Sequence, residues 1–424
     1  MPEYLKKDKQ TLEKEFEVVK KEYEDLCALN LSLDMSRGKP SFDNMDLCEN
    51  MFNLVNKDTG FKNVDGIDCR NYGGLDGLSE MKKLFAEVLE VKPEQVIAGG
   101  NSSLNMMFDT IAQAMTHGMG DKPWIECNDR KFLCPVPGYD RHFAITEYFG
   151  FKLIPIATTS EGPDMDAVEE WVKDETVKGI WCVPKYTNPD GTTYSDETVK
   201  RMAALKPAAK DFRIFWDNAY VIHHLYDTHD NLLNIYDECV KQGNEDLPIM
   251  FTSSSKITFP GAGVAAQAAS PKNIALIKSR MQYQTIGPDK LNHLKHARMF
   301  GGLSDLEAHM EKLANTLRPK FDAVLAEFDS SLAGLGIAEW TKPNGGYFIS
   351  LNVMHGCAKR VVELCKNAGM VLTPAGATHP YGIDPCDTNI RIAPSFPTVA
   401  EISQAAKLLC VAVKFAALEK LLNT

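Results

Sequence analysis

Apolar positions along the first thirty residues recur at helical spacing: Leu5, Leu12, Phe16, Val19, Tyr23 and Leu26. With charged residues between them, they predict one amphipathic helix from Glu3 to Asn30. An irregular stretch containing SRGKPS follows. From about Val96 the pattern changes to short apolar runs: Val96-Gly99, Trp124-Cys127, Leu153-Ala157, Gly179-Pro184, Phe212-Trp216, Ile249-Thr252 and Gly263-Ala269. Helix-length segments such as Asp164-Lys173 and Asp196-Leu205 lie between most of them. This alternation predicts an α/β domain with a mainly parallel sheet. Such sheets bind ligands beyond the carboxyl ends of their strands. After about Gly302 a long helix (Ser304-Phe328), a hairpin or small sheet around Gly346-Leu351, a helix near Lys359-Ala368 and a C-terminal helix from Ala400 predict a smaller α+β unit. The expected division is a large domain over 51–300 and a small one from 1–50 with 301–424.

Composition narrows the class. A chain of 424 residues with 44% hydrophobic and 24% charged residues supports a globular protein of more than one domain. A net charge of -11 argues against nucleic acid or an anionic membrane as the main partner. The start, MPEYLKKDKQTLEKEFE, lacks an apolar leader core. No run approaches the roughly 18 apolar residues of a membrane span. Eleven scattered cysteines without a C-x-x-C pair fit reduced thiols better than disulfides or structural zinc, so the expected compartment is the cytoplasm.

Polar groups at the ends of the apolar runs carry the chemistry. Lys256 follows an apolar run and three serines. A lysine buried at a strand end tends towards the neutral amine, which attacks aldehydes; alternatively it is an exposed lysine opening a loop. Asp217 follows FRIFW, and a buried carboxylate there needs a partner such as a protonated pyridine nitrogen; the alternative is a helix N-cap. Tyr220 and Asn188 are placed to donate to the phenolic oxygen of the same ring, although Asn188-Pro189-Asp190-Gly191 also reads as a plain turn. GGNSS (Gly99-Ser103) precedes a predicted helix, Ser103-Ala114, whose first amides, with the Ser102 and Ser103 hydroxyls, suit a phosphate; an ordinary capped helix is the alternative. Arg391, in the strand-like NIRIA, offers a fork for a carboxylate or a structural ion pair.

Taken together, in this order, these residues resemble fold-type I pyridoxal-phosphate (PLP) enzymes of the class I aminotransferases. SSSKITFPGAGVAA and SRGKPS resemble the divergent aspartate aminotransferases of subgroup Ic. The resemblance covers nearly the whole chain. It implies a large domain with a mainly parallel seven-stranded sheet and a smaller α+β domain. It implies that Lys256 is the Schiff-base lysine, Asp217 the partner of the pyridine nitrogen, and Tyr220 and Asn188 the ligands of the phenolic oxygen. Ser102, Ser103, Ser253 and Ser255 match the phosphate site, and Arg391 the binder of the substrate α-carboxylate. Tyr72, in NYGGLDG, resembles a tyrosine that reaches the neighbouring subunit's phosphate, implying a homodimer with shared sites.

Three positions depart from the family pattern. Val264 stands where an arginine often grips the phosphate. Tyr139, in PVPGYDRH, matches the ring-stacking aromatic, with core packing as its alternative. Gln282 falls near the place of the second, side-chain-binding arginine; Arg37, Gly38 and Lys39 are candidates for that role, or surface residues beside a loop. The expected reaction is transamination between an amino acid and a 2-oxo acid, aspartate and 2-oxoglutarate foremost. A broad-specificity or kynurenine-type aminotransferase is the nearest rival. A PLP-binding regulator is another, but the N-terminal helix is too short for a DNA-binding module. His223, His224 and His229 are read as packing or surface residues, not metal ligands.

Overall fold

The computed structural model describes residues 3–423. Its largest sheet has eight strands: β1 (Val96–Ala98), β2 (Lys131–Val136), β3 (Lys152–Thr159), β4 (Gly162–Pro163), β5 (Val177–Cys182), β6 (Arg213–Asp217), β7 (Pro248–Ser253) and β8 (Ala265–Ala269). Their order is β1-β8-β7-β6-β5-β2-β3-β4. Strands β7, β6, β5, β2 and β3 pair in parallel, whereas β8 runs antiparallel to both its neighbours and β4 is an antiparallel edge. Seven substantial strands are thus extended by a two-residue eighth. Helices cover the sheet, and Phe132, Phe215 and Phe251 are fully buried against it. Each such ring contributes roughly 1.5–3 kcal/mol on burial.

Two expectations are corrected. Trp124-Cys127 is no strand; Trp124–Glu126 forms a turn of 3₁₀ helix that buries Trp124 completely. The strand lies a few residues later, at KFLCPV. It begins with a lysine and contains Pro135, both signs against a strand, yet Lys131 is accommodated because Asp129, Asp174 and Thr176 bind its ammonium. The first helix is also interrupted. Glu3–Lys6 is a separate turn, and α1 (Lys9–Cys27) starts anew where Asp8 accepts from the Thr11 amide at 2.8 Å.

The remaining helices used below are α2 (Ser103–His117), α3 (Asp140–Tyr148), α4 (Leu303–Ser331) and α5 (Val399–Asn423). Helices α4 and α5 pack with α1 into a second apolar core, in which Phe415 meets Phe16 and Tyr23. That core carries a three-stranded antiparallel sheet, β9 (Ala338–Trp340), β10 (Ile349–Val353) and β11 (Asn389–Ile392), in which Ser350 opposes Arg391. A short parallel pair, Leu33–Asp34 with Met370–Val371, brings the SRGKPS loop beside it. No helix among the described residues is long and apolar enough to cross a membrane.

Candidate active site

The carboxyl ends of β6 and β7, the start of α2, the start of α3 and β11 surround one cavity of about 660 Å³. It gathers Ser102, Ser103, Tyr139, Asn188, Asp217, Tyr220, Ser253, Ser255, Lys256 and Arg391, with Arg37, Gly38 and Lys39 at its edge. Asp217 and the Ser253–Lys256 segment meet here because parallel strands deliver their ends to one side of the sheet, while Arg37 and Arg391 are brought over them by the second core.

Asp217 ends β6 and is only 3% exposed. Its Oδ2 lies 3.0 Å from His142 Nε2. The His142 ring is itself stacked on Trp181 at 4.4 Å. The other oxygen, Oδ1, is buried without a partner. A buried carboxylate oxygen left bare is costly, and a protonated ring nitrogen is the kind of group that would complete it. This fits PLP.

Lys256 follows β7 and lies with its Nζ 5.1 Å from the centre of the Tyr220 ring. Burial lowers its pKa; Asp217 pulls it back up, and Arg391 lowers it further. The net shift is downward, in the direction of the neutral amine that acts as a nucleophile. Tyr347 donates to the Lys256 carbonyl at 3.2 Å. Burial holds the Tyr220 hydroxyl well above its ordinary pKa, so it stays a proton donor.

Ser102 is the N-cap residue of α2 and its hydroxyl makes no capping bond. The first amides of this 15-residue helix and two further hydroxyls form a phosphate-sized polar corner. Ser253 and Ser255 lie 3.1 Å apart through their hydroxyls, and Ser255 also donates to Asn101 O. Val264 is fully buried, its amide donating to Ser254 Oγ, and it grips nothing in the cavity. Tyr139 lines the cavity, its ring edge-on to His142 at 4.9 Å; burial raises its pKa to about 12.

Arg391 is 6% exposed and its guanidinium lies over Phe348. Its Nη1 is 2.7 Å from Asp140 Oδ1 and 3.4 Å from Asn188 Oδ1, while Nε has no partner. Gly38 abuts the same Phe348: a Cβ there would come 2.7 Å from the ring, so any side chain would displace it. Lys39 pairs with Asp34 at 3.4 Å.

Tyr72, expected to reach a neighbouring subunit's phosphate, is 83% exposed and does not line this cavity, and Gln282, near the place of the second arginine, binds its own helix at Ser279 O. The geometry adds Asp140, Arg141 and His142, all within PVPGYDRH. A signal existed, since a histidine three residues after the aromatic shares its helix face. His224 stacks on His229 at 3.7 Å. Among the described residues no group of three or more His, Cys, Asp or Glu could hold a metal ion.

A Schiff-base-competent lysine, an under-satisfied carboxylate and a helix N-terminus around one cavity define a fold-type I PLP enzyme. The family model described as aspartate amino-transferase matches residues 8–424, and the chain belongs to that family of aminotransferases. An aspartate aminotransferase of Corynebacterium glutamicum is 46% identical over 409 residues, 96% of this chain and 94% of the relative. The crystal structure of an aspartate transaminase from the same species superposes with a TM-score of 0.95 at 45% identity, covering 98% of each chain. The fold also matches, at 20% identity and a TM-score of 0.74, the α-aminoadipate aminotransferase of Thermus thermophilus complexed with a phosphopyridoxyl-leucine, over 92% of this chain and 93% of that one.

Proposed function

We propose that this chain transaminates a dicarboxylic amino acid, aspartate, against a 2-oxo acid such as 2-oxoglutarate, with PLP as cofactor. The observation that carries the reading is a lysine held towards neutrality and a bare buried Asp217 oxygen opening into one cavity with Arg391. The aspartate preference is supported by the Corynebacterium relative and by the charge of the lining. Even without Lys256, Arg37, Lys39, Arg141 and Arg391 outnumber Asp140 and Asp217, leaving cations for the two carboxylates of the substrate.

When bound, PLP supplies an aldehyde and an electron sink for the substrate's α-carbon electrons. Asp217 would keep the ring nitrogen protonated, and His142 holds Asp217 in place. Tyr220 and the Asn188 amide would donate to the ring oxygen, and Tyr139 would lie against the ring. Ser102, Ser103, Ser253 and Ser255 would bind the phosphate. Arg391 binds the α-carboxylate. The Lys256 amine would act as general base towards the substrate's α-proton. Arg37 and Lys39, joined by Arg141, face the side-chain carboxylate.

The same proposal includes a homodimer in which Tyr72 completes the neighbour's site. Tyr72 itself is 83% exposed, so its ring is free to reach a second copy. It includes a large domain over 51–300, a small one from 1–50 with 301–424, and a cytoplasmic setting that suits eleven unpaired cysteines. The test is a half-reaction. Aspartate added to the PLP-loaded protein should abolish the cofactor's visible absorbance, and 2-oxoglutarate should restore it. Lys256→Ala should lose both the band and turnover. Turnover retained in Lys256→Ala, or a wild-type spectrum indifferent to every amino acid, ends this reading.

A further inference from the structure

Arg391 cannot be left alone. It is fixed on β11 between Ile390 and Ile392, both fully buried, and its guanidinium lies against Phe348. An unpaired cation so placed is strongly destabilising. Its counter-ion in the structure is Asp140, the first residue of α3, through a single contact of 2.7 Å between Oδ1 and Nη1. The two partners are unequal. The Arg391 side chain is 6% exposed and that of Asp140 34%, so the arginine stays while the carboxylate can withdraw to solvent.

Withdrawal costs Asp140 little. Among the described residues its side chain bonds only to Arg391, and the start of a helix is a favourable place for a carboxylate. Its hold is also incomplete. One oxygen meets one nitrogen, and Nε remains without a partner. A ligand bringing two carboxylate oxygens would satisfy more of the guanidinium than Asp140 does.

We propose that Asp140 is a placeholder carboxylate: it neutralises Arg391 while the site is empty and is displaced by the α-carboxylate of the substrate. This rests on the reading of Arg391 as the binder of that carboxylate. Asp140 is a positioning residue, which keeps Arg391 in the cavity at the cost of competing with every substrate. Apparent affinity is then the intrinsic affinity reduced by the fraction of molecules in which Arg391 is uncovered. A ping-pong enzyme gains from this, because carboxylate products leave the same arginine as readily as substrates arrive.

The prediction is a gain of affinity, which damage to the fold does not produce. In the PLP-loaded protein, Asp140→Asn keeps the shape and removes the charge, and Asp140→Ser is too short to reach Arg391. Succinate, which cannot react, serves as the binding probe in calorimetry, alongside KM for aspartate and the cofactor absorbance as a check on the site. Both variants should bind succinate roughly tenfold more tightly, with a matching fall in KM and an unaltered cofactor spectrum. Succinate affinity that is unchanged or weaker in both variants overturns the placeholder role. Arg391→Met separates the two layers. If it leaves succinate binding intact, the carboxylate-site reading itself fails; if it weakens binding while the Asp140 variants do not tighten it, only the placeholder fails.

Discussion

At the two ends of the central strands, charge is buried on different terms. At the amino ends, Arg213 opens β6 and donates to Phe212 O and Met119 O at 2.8 and 2.7 Å, backbone groups that cannot leave. Lys131 opens β2 with three oxygens around its ammonium, and Lys178 on β5 meets Asp211 at 2.9 Å. At the carboxyl ends, four residues along the same strand from Arg213, Asp217 keeps one oxygen bare. Arg391 is held by a carboxylate that is partly in solvent, and the Lys256 amine sits over a tyrosine ring. Both ends carry buried cations. A bare oxygen or an exchangeable counter-ion that also lines the cavity marks a place for a ligand; Arg213 Nε is equally bare, but Arg213 does not line that cavity.

That contrast can be broken by mutation, most severely at Asp217. Asp217→Asn should lower kcat on the order of a hundredfold or more while leaving the unfolding midpoint in urea nearly unmoved, because the lost charge faces the cavity. A kcat within twofold of wild type would place Asp217 on the architectural side. The two buried arginines give the next largest effect and a crossed result. Arg213→Met strips two buried carbonyls of their donor and should cost about 3 kcal/mol of stability, with KM unchanged. Arg391→Met should raise KM for aspartate roughly ten- to hundredfold and cost under about 1 kcal/mol of stability. Matching profiles for the two variants would erase the distinction.

The smallest effect concerns a histidine just behind the site. Burial, with Lys256 nearby, lowers the pKa of His223 from 6.5 to about 3. Above pH 6.5 neither the folded nor the unfolded chain protonates it, and nothing is lost. As pH falls from 6.5 towards 3 the unfolded chain takes up a proton that the fold refuses. Stability then declines by up to about 1.4 kcal/mol per pH unit from this residue. His223→Gln should therefore lose less stability than wild type between pH 7.5 and pH 5 in urea unfolding. Equal losses would show that His223 protonates freely in the fold.

Much of this was legible in the linear chain because it rests on local rules. Apolar runs ending in DNAY and SSSK announced strand ends with polar groups beyond them, and the GGNSS turn announced the start of α2. These depend on neighbours within a few residues. The strand KFLCPV was hidden because its lysine and proline are tolerated only through contacts with Asp174 and Thr176, 43 and 45 positions away. His142 and Asp140 were hidden for the same reason: their partners, Asp217 and Arg391, lie 75 and 251 residues further on.

Sequence alone thus determined the inventory, the order of elements and the kind of chemistry, since residue type and periodicity set what each segment can bury and what each side chain can donate. Only the tertiary structure decided which of those groups are left unsatisfied. Satisfaction depends on partners distant in the chain, and at Asp217 and Arg391 it is a bare or exchangeable position on the wall of a cavity, not the residue type, that points to a ligand site.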